Sequence, residues 1–174
     1  MCSNRSGSRF VTTIMGTDVI RQRVLPLRPR QALLTAHIMI SVGLLGDSAG
    51  FLAVAIRAAG ADDPAVARHL VGVLDMFAAV FGIPLSLGAL ASGVALGIGT
   101  KWGVFRYPWV TAKLLLIVSV MVVGGTVIGP ALHAMLQGGV DTTDRLIAAA
   151  AYDVLALGTA TVLSVFKPGR AFRG

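Results

Sequence analysis

Three aspartates interrupt stretches that otherwise read as hydrocarbon-soluble helix. Asp47 falls in GLLGDSAGFL (residues 43–52), Asp75 in VGVLDMFAAV, and Asp153 in AAAAYDVLAL. An ionised aspartate at the centre of a membrane helix costs about 2.5–3.5 kcal/mol on insertion scales, so such a residue is a functional-site candidate by default. The chemistry open to three of them together is narrow. Some hold their protons, a cation or an arginine sits among them, or water enters from the outer surface. Asp47, Asp75 and Asp153 are therefore the candidates for proton or ion binding. The plainer alternative is that each protonated carboxyl only hydrogen-bonds a neighbouring helix.

Long apolar helices must position these carboxyls. Of the 174 residues, 55 % are hydrophobic and 13 % charged, against roughly 25 % charged in a soluble domain. Four stretches reach the approximately 20 apolar residues a crossing needs: about 32–56, 67–98, 109–136 and 146–166. The second is over-long and is expected to tilt or to project around His69. The connections AAGADDPAVA, GTKWGVFRYP and QGGVDTTD are short and rich in turn residues, which makes neighbouring spans antiparallel. The fold class is all-α, a polytopic membrane protein built as an antiparallel four-transmembrane-helix bundle. Pro84 and Pro130 each remove a backbone hydrogen bond from a span, and a carbonyl so freed could ligate a cation beside an aspartate.

Residues three or four apart share a helix face, and each span carries a small or polar stripe. The stripes read Ala36, Gly43, Asp47 and Gly50 in the first span and Asp75, Ala79, Gly82, Ser86, Ala89, Gly93 and Gly97 in the second. Ser119, Thr126 and His133 form the third, and Ala149, Asp153, Ala156, Ala160 and Ser164 the fourth. Small residues allow close backbone approach in lipid, so these faces are expected to meet in one interior. Counted from the outer ends of the spans, the three aspartates each lie roughly 13–16 Å deep. That puts all three in one layer, within the outer half of the bundle.

Residues 1–30 are basic and proline-broken, a disordered cytoplasmic arm by expectation, with Met15 as well as Met1 able to start the chain. Residues 31–167 form the transmembrane domain, and 168–174 a basic cytoplasmic tail. The apolar piece FVTTIM is too short for a signal sequence. Twelve of the fifteen Lys and Arg residues lie on the side of both termini, and only Arg57, Arg68 and Arg145 lie opposite. Basic segments stay inside, which places both termini in the cytoplasm and the protein in the plasma membrane. Lys101, Trp102, Arg106, Tyr107, Trp109 and Lys113 interleave aromatic rings with cations at the inner turn, a pattern suited to the membrane interface.

His69 and His133 fall near the outer ends of adjacent spans, the arrangement that a b-type haem would need from facing helices. The competing expectation is a pair of solvated interfacial side chains, and no cofactor is expected to be required. His37, without a histidine at its depth, suits a polar contact between helices. The single Cys2 offers neither a disulfide framework nor a cysteine metal site. No nucleophile, phosphate-loop or metal-protease motif is present, so an enzyme and a dedicated metal centre are not expected. The net charge of +7 flanks apolar spans and does not form a nucleic-acid surface.

GLLGD in the first span, ADDP in the following loop, and GTKWGVFRYPWVTAK at the inner turn resemble a family of uncharacterised four-span integral membrane proteins common in actinobacteria. The resemblance covers about residues 30–166 and rests chiefly on Trp102, Gly103, Trp109 and Lys113. It implies the four-span topology and no activity. The functional expectations are a membrane protein handling a proton, cation or small solute, a non-catalytic scaffold or accessory subunit of a membrane complex, or a haem electron carrier. Lipid is the expected surrounding, with a homo-oligomer or a larger membrane complex as partner.

Overall fold

The computed structural model describes residues 27–98, 108–138 and 142–166. The expected basic arm through residue 26, residues 99–107 and 139–141, and the expected tail from 167 lie outside the described residues; the end of the bundle at residues 27, 98, 108 and 166 is labelled inner and the opposite end outer. All four expected spans are helices, each long and apolar enough to cross a membrane. The first is α1 (Leu27–Ala59). The second runs without a break from Pro64 to Ile98 and consists of α2 (Pro64–Met76), a π-helical segment (Phe77–Gly82) and α3 (Ile83–Ile98). The third joins α4 (Pro108–Val123), a second π-helical segment (Gly124–Ile128) and α5 (Gly129–Leu136). The fourth is α6 (Thr143–Phe166). The helix at the N-terminal side begins at Leu27, a few residues before the end assigned to the arm.

Local chemistry sets the ends. The Ala65 amide donates to Asp63 Oδ1 at 2.8 Å, and Pro64 occupies the first helical position, where its missing N–H costs nothing. Gly138, at φ 76°, turns the chain away after α5, a left-handed conformation that glycine adopts without steric cost. Thr142 opens α6, its carbonyl accepting from the amides of Arg145 and Leu146.

Both π segments have one cause. Pro84 and Pro130 have no N–H to donate, and the proline ring clashes with the carbonyl four residues back in an α-helix. The chain widens just before each: Ile83 N–H bonds to Ala78 O, and Gly129 N–H to Gly124 O, both five residues back. A π turn carries one residue more than an α turn.

Two apolar clusters fill the bundle. The outer one gathers Phe51, Ala55, Val71, Leu74, Ile128, Ala131, Leu132, Leu146, Ala149 and Ala150. The inner one gathers Leu44, Ala89, Val120, Ala156 and Leu157. Large apolar side chains also cover the outside, among them Leu155 at 71 % and Val165 at 70 % exposure. An apolar surface this extensive fits lipid and not water, and the chain reads as a multi-pass membrane protein.

Candidate functional site

The contact between α1 and α3 is an antiparallel seam in which small residues alternate with large ones. A β-carbon on Gly93 would lie 3.3 Å from the His37 ring, one on Gly88 3.5 Å from Ile40, one on Gly82 3.5 Å from Asp47 Oδ2, and one on Gly50 3.1 Å from Phe77. Gly43 in turn faces Leu85. Without a hydrophobic driving force between helices in lipid, such close backbone approach supplies the dispersion contacts that hold them together. The seam also fixes depth: Asp47 is level with Gly82, the last residue of the first π segment.

Asp47 and Asp153 occupy the same layer. Asp47 lies between Leu44 of the inner cluster and Phe51 of the outer, and Asp153 lies between Ala156 of the inner cluster and Ala150 of the outer. Asp153 is only 6 % exposed. Asp47 is half-buried. One oxygen of each, Asp47 Oδ1 and Asp153 Oδ1, is buried with no hydrogen-bond partner. Leaving a buried acceptor unpaired costs about 1–3 kcal/mol, and unpaired groups of this kind concentrate where a ligand or proton is handled. On the second and third spans the same gap between clusters is occupied by the two π segments.

Asp75 is not part of this layer. It is exposed, directly after Leu74, which is fully buried in the outer cluster. Asp75 also precedes Gly82 by seven residues, which lifts it about 10 Å toward the outer end. The extra residue of the π segment explains the difference. A continuous α-helix through Ser86 and Ala89 would carry Ala79 and Asp75 on the same face, whereas one inserted residue moves that face to Ala78 and Leu74. Accordingly Ser86 and Ala89 are buried, while Ala79 and Asp75 are exposed.

The third span shows a similar displacement: Val120 and Ile128 are buried, and Thr126 and His133 point outward. On α1 the expected stripe is also off, since Ala36 and Gly43 are exposed and Leu44, Ser48, Phe51 and Ala55 face inward. Of the second stripe Ser86, Ala89 and Gly97 are buried as expected, and of the fourth the upper part, Ala149, Asp153 and Ala156. Ser164 is exposed. Among the described residues no three His, Cys, Asp or Glu side chains come together as a metal site, so the three-carboxylate cluster does not form.

His69 and His133 are both exposed. His69 lies within α2 beside a shallow depression lined by Ala65, Arg68 and Gly72, and His133 Nε2 is 2.8 Å from Gln137 Nε2. Neither reaches the bundle interior, where facing ligands for a haem would stand. At the inner end, Lys113 Nζ sits 4.8 Å from the centre of the Trp109 ring and donates to Ser164 Oγ at 3.1 Å, tying α4 to α6. Lys101, Trp102, Arg106 and Tyr107 lie outside the described residues.

The polar contact between helices expected of His37 is present, but its partner, like a second such contact, was not legible from residue spacing. His37 Nδ1 is 2.8 Å from Ser92 Oγ, joining α1 to α3. Tyr152 OH donates to Ser119 Oγ at 2.7 Å, joining α6 to α4. Ser92 stands one position off the glycine stripe, beside Gly93, and only the depth of the seam reveals it as the partner of His37. The chain matches no protein-family model, no curated protein and no solved structure. The residues and their geometry therefore carry the functional reading.

Proposed function

We propose that this multi-pass membrane protein binds a proton or a small monovalent cation at the Asp47 and Asp153 layer, as one step in moving it or in sensing it. The observation that carries this reading is the pair of buried carboxyl oxygens, one on each of two helices, that no described residue satisfies. Intramembrane carboxyls facing a bundle interior mark ion and proton pathways. Irregular helix geometry at the depth of a carboxylate recurs in membrane ion sites, and both π segments lie at that depth.

Orientation belongs to the same proposal. With twelve of fifteen basic residues on the side of the termini, both termini face the cytoplasm of a plasma-membrane protein. A second reading, a scaffold packed against another membrane protein, is favoured by one observation. The exposed Asp75 stands one turn from Gly72, above which a β-carbon would meet nothing within 4 Å. A partner helix could approach closely there.

A ligand that binds only the folded state raises its stability by mass action. Thermal unfolding of the purified protein is therefore followed against proton concentration and against sodium or potassium at constant ionic strength, with a bulky organic cation as replacement. Wild type and Asp75→Asn respond to one of these ions, and Asp47→Asn and Asp153→Asn lose the response. Identical behaviour of all four proteins would favour the scaffold.

A further inference from the structure

We infer that the buried carboxyls exchange with one side only, the end of the bundle that holds both chain termini, through His37, Ser92 and Ser86, and that the outer half is a dry plug. This rests on the reading of Asp47 and Asp153 as a binding layer and adds its route of access.

The two halves of the bundle differ in kind. Outward of Ser48, which adjoins Asp47 in the layer, every buried described side chain is apolar until Thr143, at the mouth of α6. Apart from Thr142 and Thr143 at the mouth of α6, the polar side chains on that side, among them Arg57, Arg68, His69, Asp75, Thr126 and His133, are exposed. The interior there is closed by Ala55, Leu74 and Leu146 at 0 % exposure and by Leu132 and Ala150 at 1 %. A region packed this tightly and lacking polar side chains holds no water, which needs two or more polar partners.

Toward the termini the interior carries hydroxyls. Ser86 is buried, one turn from the Gly82 that touches Asp47. Ser92, also buried, follows about 9 Å further along α3. Its Oγ lies 2.6 Å from Gly88 O and 2.8 Å from His37 Nδ1. The shorter contact takes the hydroxyl proton, so the imidazole donates from Nδ1 and keeps Nε2 as an acceptor. His37 stands half-buried near the end of α1, with Ser41 one turn deeper on the same face as Leu44 and Ser48. Along the helix axis Gly82 and Ser86 are about 6 Å apart and Ser86 and Ser92 about 9 Å, steps that bridging waters would have to cross.

The line therefore has an acceptor at its entrance, hydroxyls able to donate and accept along its length, and the unpaired Asp47 Oδ1 at its end. A proton taken up at His37 Nε2 releases the one on Nδ1 toward Ser92, and successive shifts along the hydroxyls and bridging waters deliver a proton to ionised Asp47. The imidazole is left as the Nε2–H tautomer with the hydroxyls turned over, and rotation of both resets the relay. His37 and Ser92 are positioning and relay residues, and Asp47 and Asp153 are the sites they serve.

The experiment follows the protonated-carboxyl C=O stretch by infrared difference spectroscopy after transfer of the lipid-reconstituted protein into D2O. The bands are assigned by their loss in Asp47→Asn and Asp153→Asn. Exchange at these bands slows at least tenfold in His37→Phe and in Ser92→Ala. His37→Gln, which keeps a hydrogen bond to Ser92 but cannot pass a proton, keeps the melting temperature of wild type while exchanging as slowly as His37→Phe. Leu132→Ala, which loosens the outer plug without adding a polar group, leaves the rate unchanged. Carboxyl bands that exchange at the wild-type rate in all the His37 and Ser92 variants overturn the route while leaving the binding layer in place. The absence of any band lost with Asp47 or Asp153 overturns both.

Discussion

The carboxyl of Asp47 rests against the backbone of Gly82, so close that a β-carbon on the glycine would stand 3.5 Å from Asp47 Oδ2 and 3.7 Å from Phe77 O. An acidic side chain is thus held at the exact turn where the second span leaves α-helical geometry. The contact is possible because the α1 and α3 seam interleaves glycines with large side chains along its whole length. Its depth is set by this packing and not by the distance of Asp47 from either end of its helix.

Glycines on α1 are expected to differ sharply in what they tolerate. Gly50 would bring a β-carbon to 3.1 Å from the Phe77 ring, which is itself packed at 6.0 Å from the Phe81 ring. Gly50→Ala forces the Phe77 ring to give way and should leave the protein about 1–3 kcal/mol less stable than the same change at an uncrowded helical glycine, the usual cost of overpacking. Gly46, one turn earlier, meets nothing within 4 Å, and Gly46→Ala should raise stability by up to about 1 kcal/mol through backbone entropy alone. Unfolding of the two variants in the same detergent micelle checks the pair, and equal effects would refute the seam.

Asp153 is expected to be retained at a cost to stability. It is 6 % exposed and its Oδ1 has no partner. Asp153→Val removes the unsatisfied group at nearly constant volume and should stabilise the protein by on the order of 1 kcal/mol. The same variant should lose any stabilisation by protons or cations. A destabilised Asp153→Val would mean that the carboxyl is satisfied in the membrane by structure the bundle provides itself.

What the sequence reveals here depends on which physical signal is read. Hydropathy and turn residues locate all four spans within a few residues, because a run such as 143–166 has no other way to satisfy its backbone in lipid. The small-residue stripe on α6 is correct through Ala156, whereas on the equally regular α1 Ala36 and Gly43 are exposed and Leu44 is buried, because residue size alone does not choose the packed face. Phase fails where a helix is not regular: Asp75 and Leu74 exchange places because residues 77–82 form a π segment, which leaves no mark in the spacing of apolar residues. Pro84 signals that something must give, but a kink and an inserted residue are equally good answers to the missing N–H. The depth of Asp47 relative to Gly82, and the pairing of His37 with Ser92, follow from tertiary packing that spacing along one helix does not encode.

The histidines give a spectroscopic expectation. His69 and His133 are exposed at the outer end of the bundle, away from the buried interior that would shield a haem from water. Purified protein incubated with haemin should show no sharpened Soret band beyond that of the His69→Ala, His133→Ala double variant. A Soret band lost in that variant would restore the electron-carrier reading.

The π segments can be tested by deletion. In the second span, Val71 and Leu74 face inward before the segment and Ser86 and Ala89 after it, while Asp75, which an uninterrupted α-helix would place on the same face between Val71 and Ser86, is exposed. One extra residue resets the phase. Removing Ala79 should turn the segment into ordinary helix with Leu74, Ala78, Gly82 and Ser86 still in line, because the intervals become four, three and four. The deletion variant should therefore remain folded and monodisperse on size exclusion, with melting close to wild type. Removing Val73 instead takes a residue from regular α-helix and rotates Val71 and everything before it by about 100° relative to Leu74, which carries buried Val71 out to lipid and should lower melting markedly. If both deletions proved equally harmful, the inserted residue would not be what separates Asp75 from the interior.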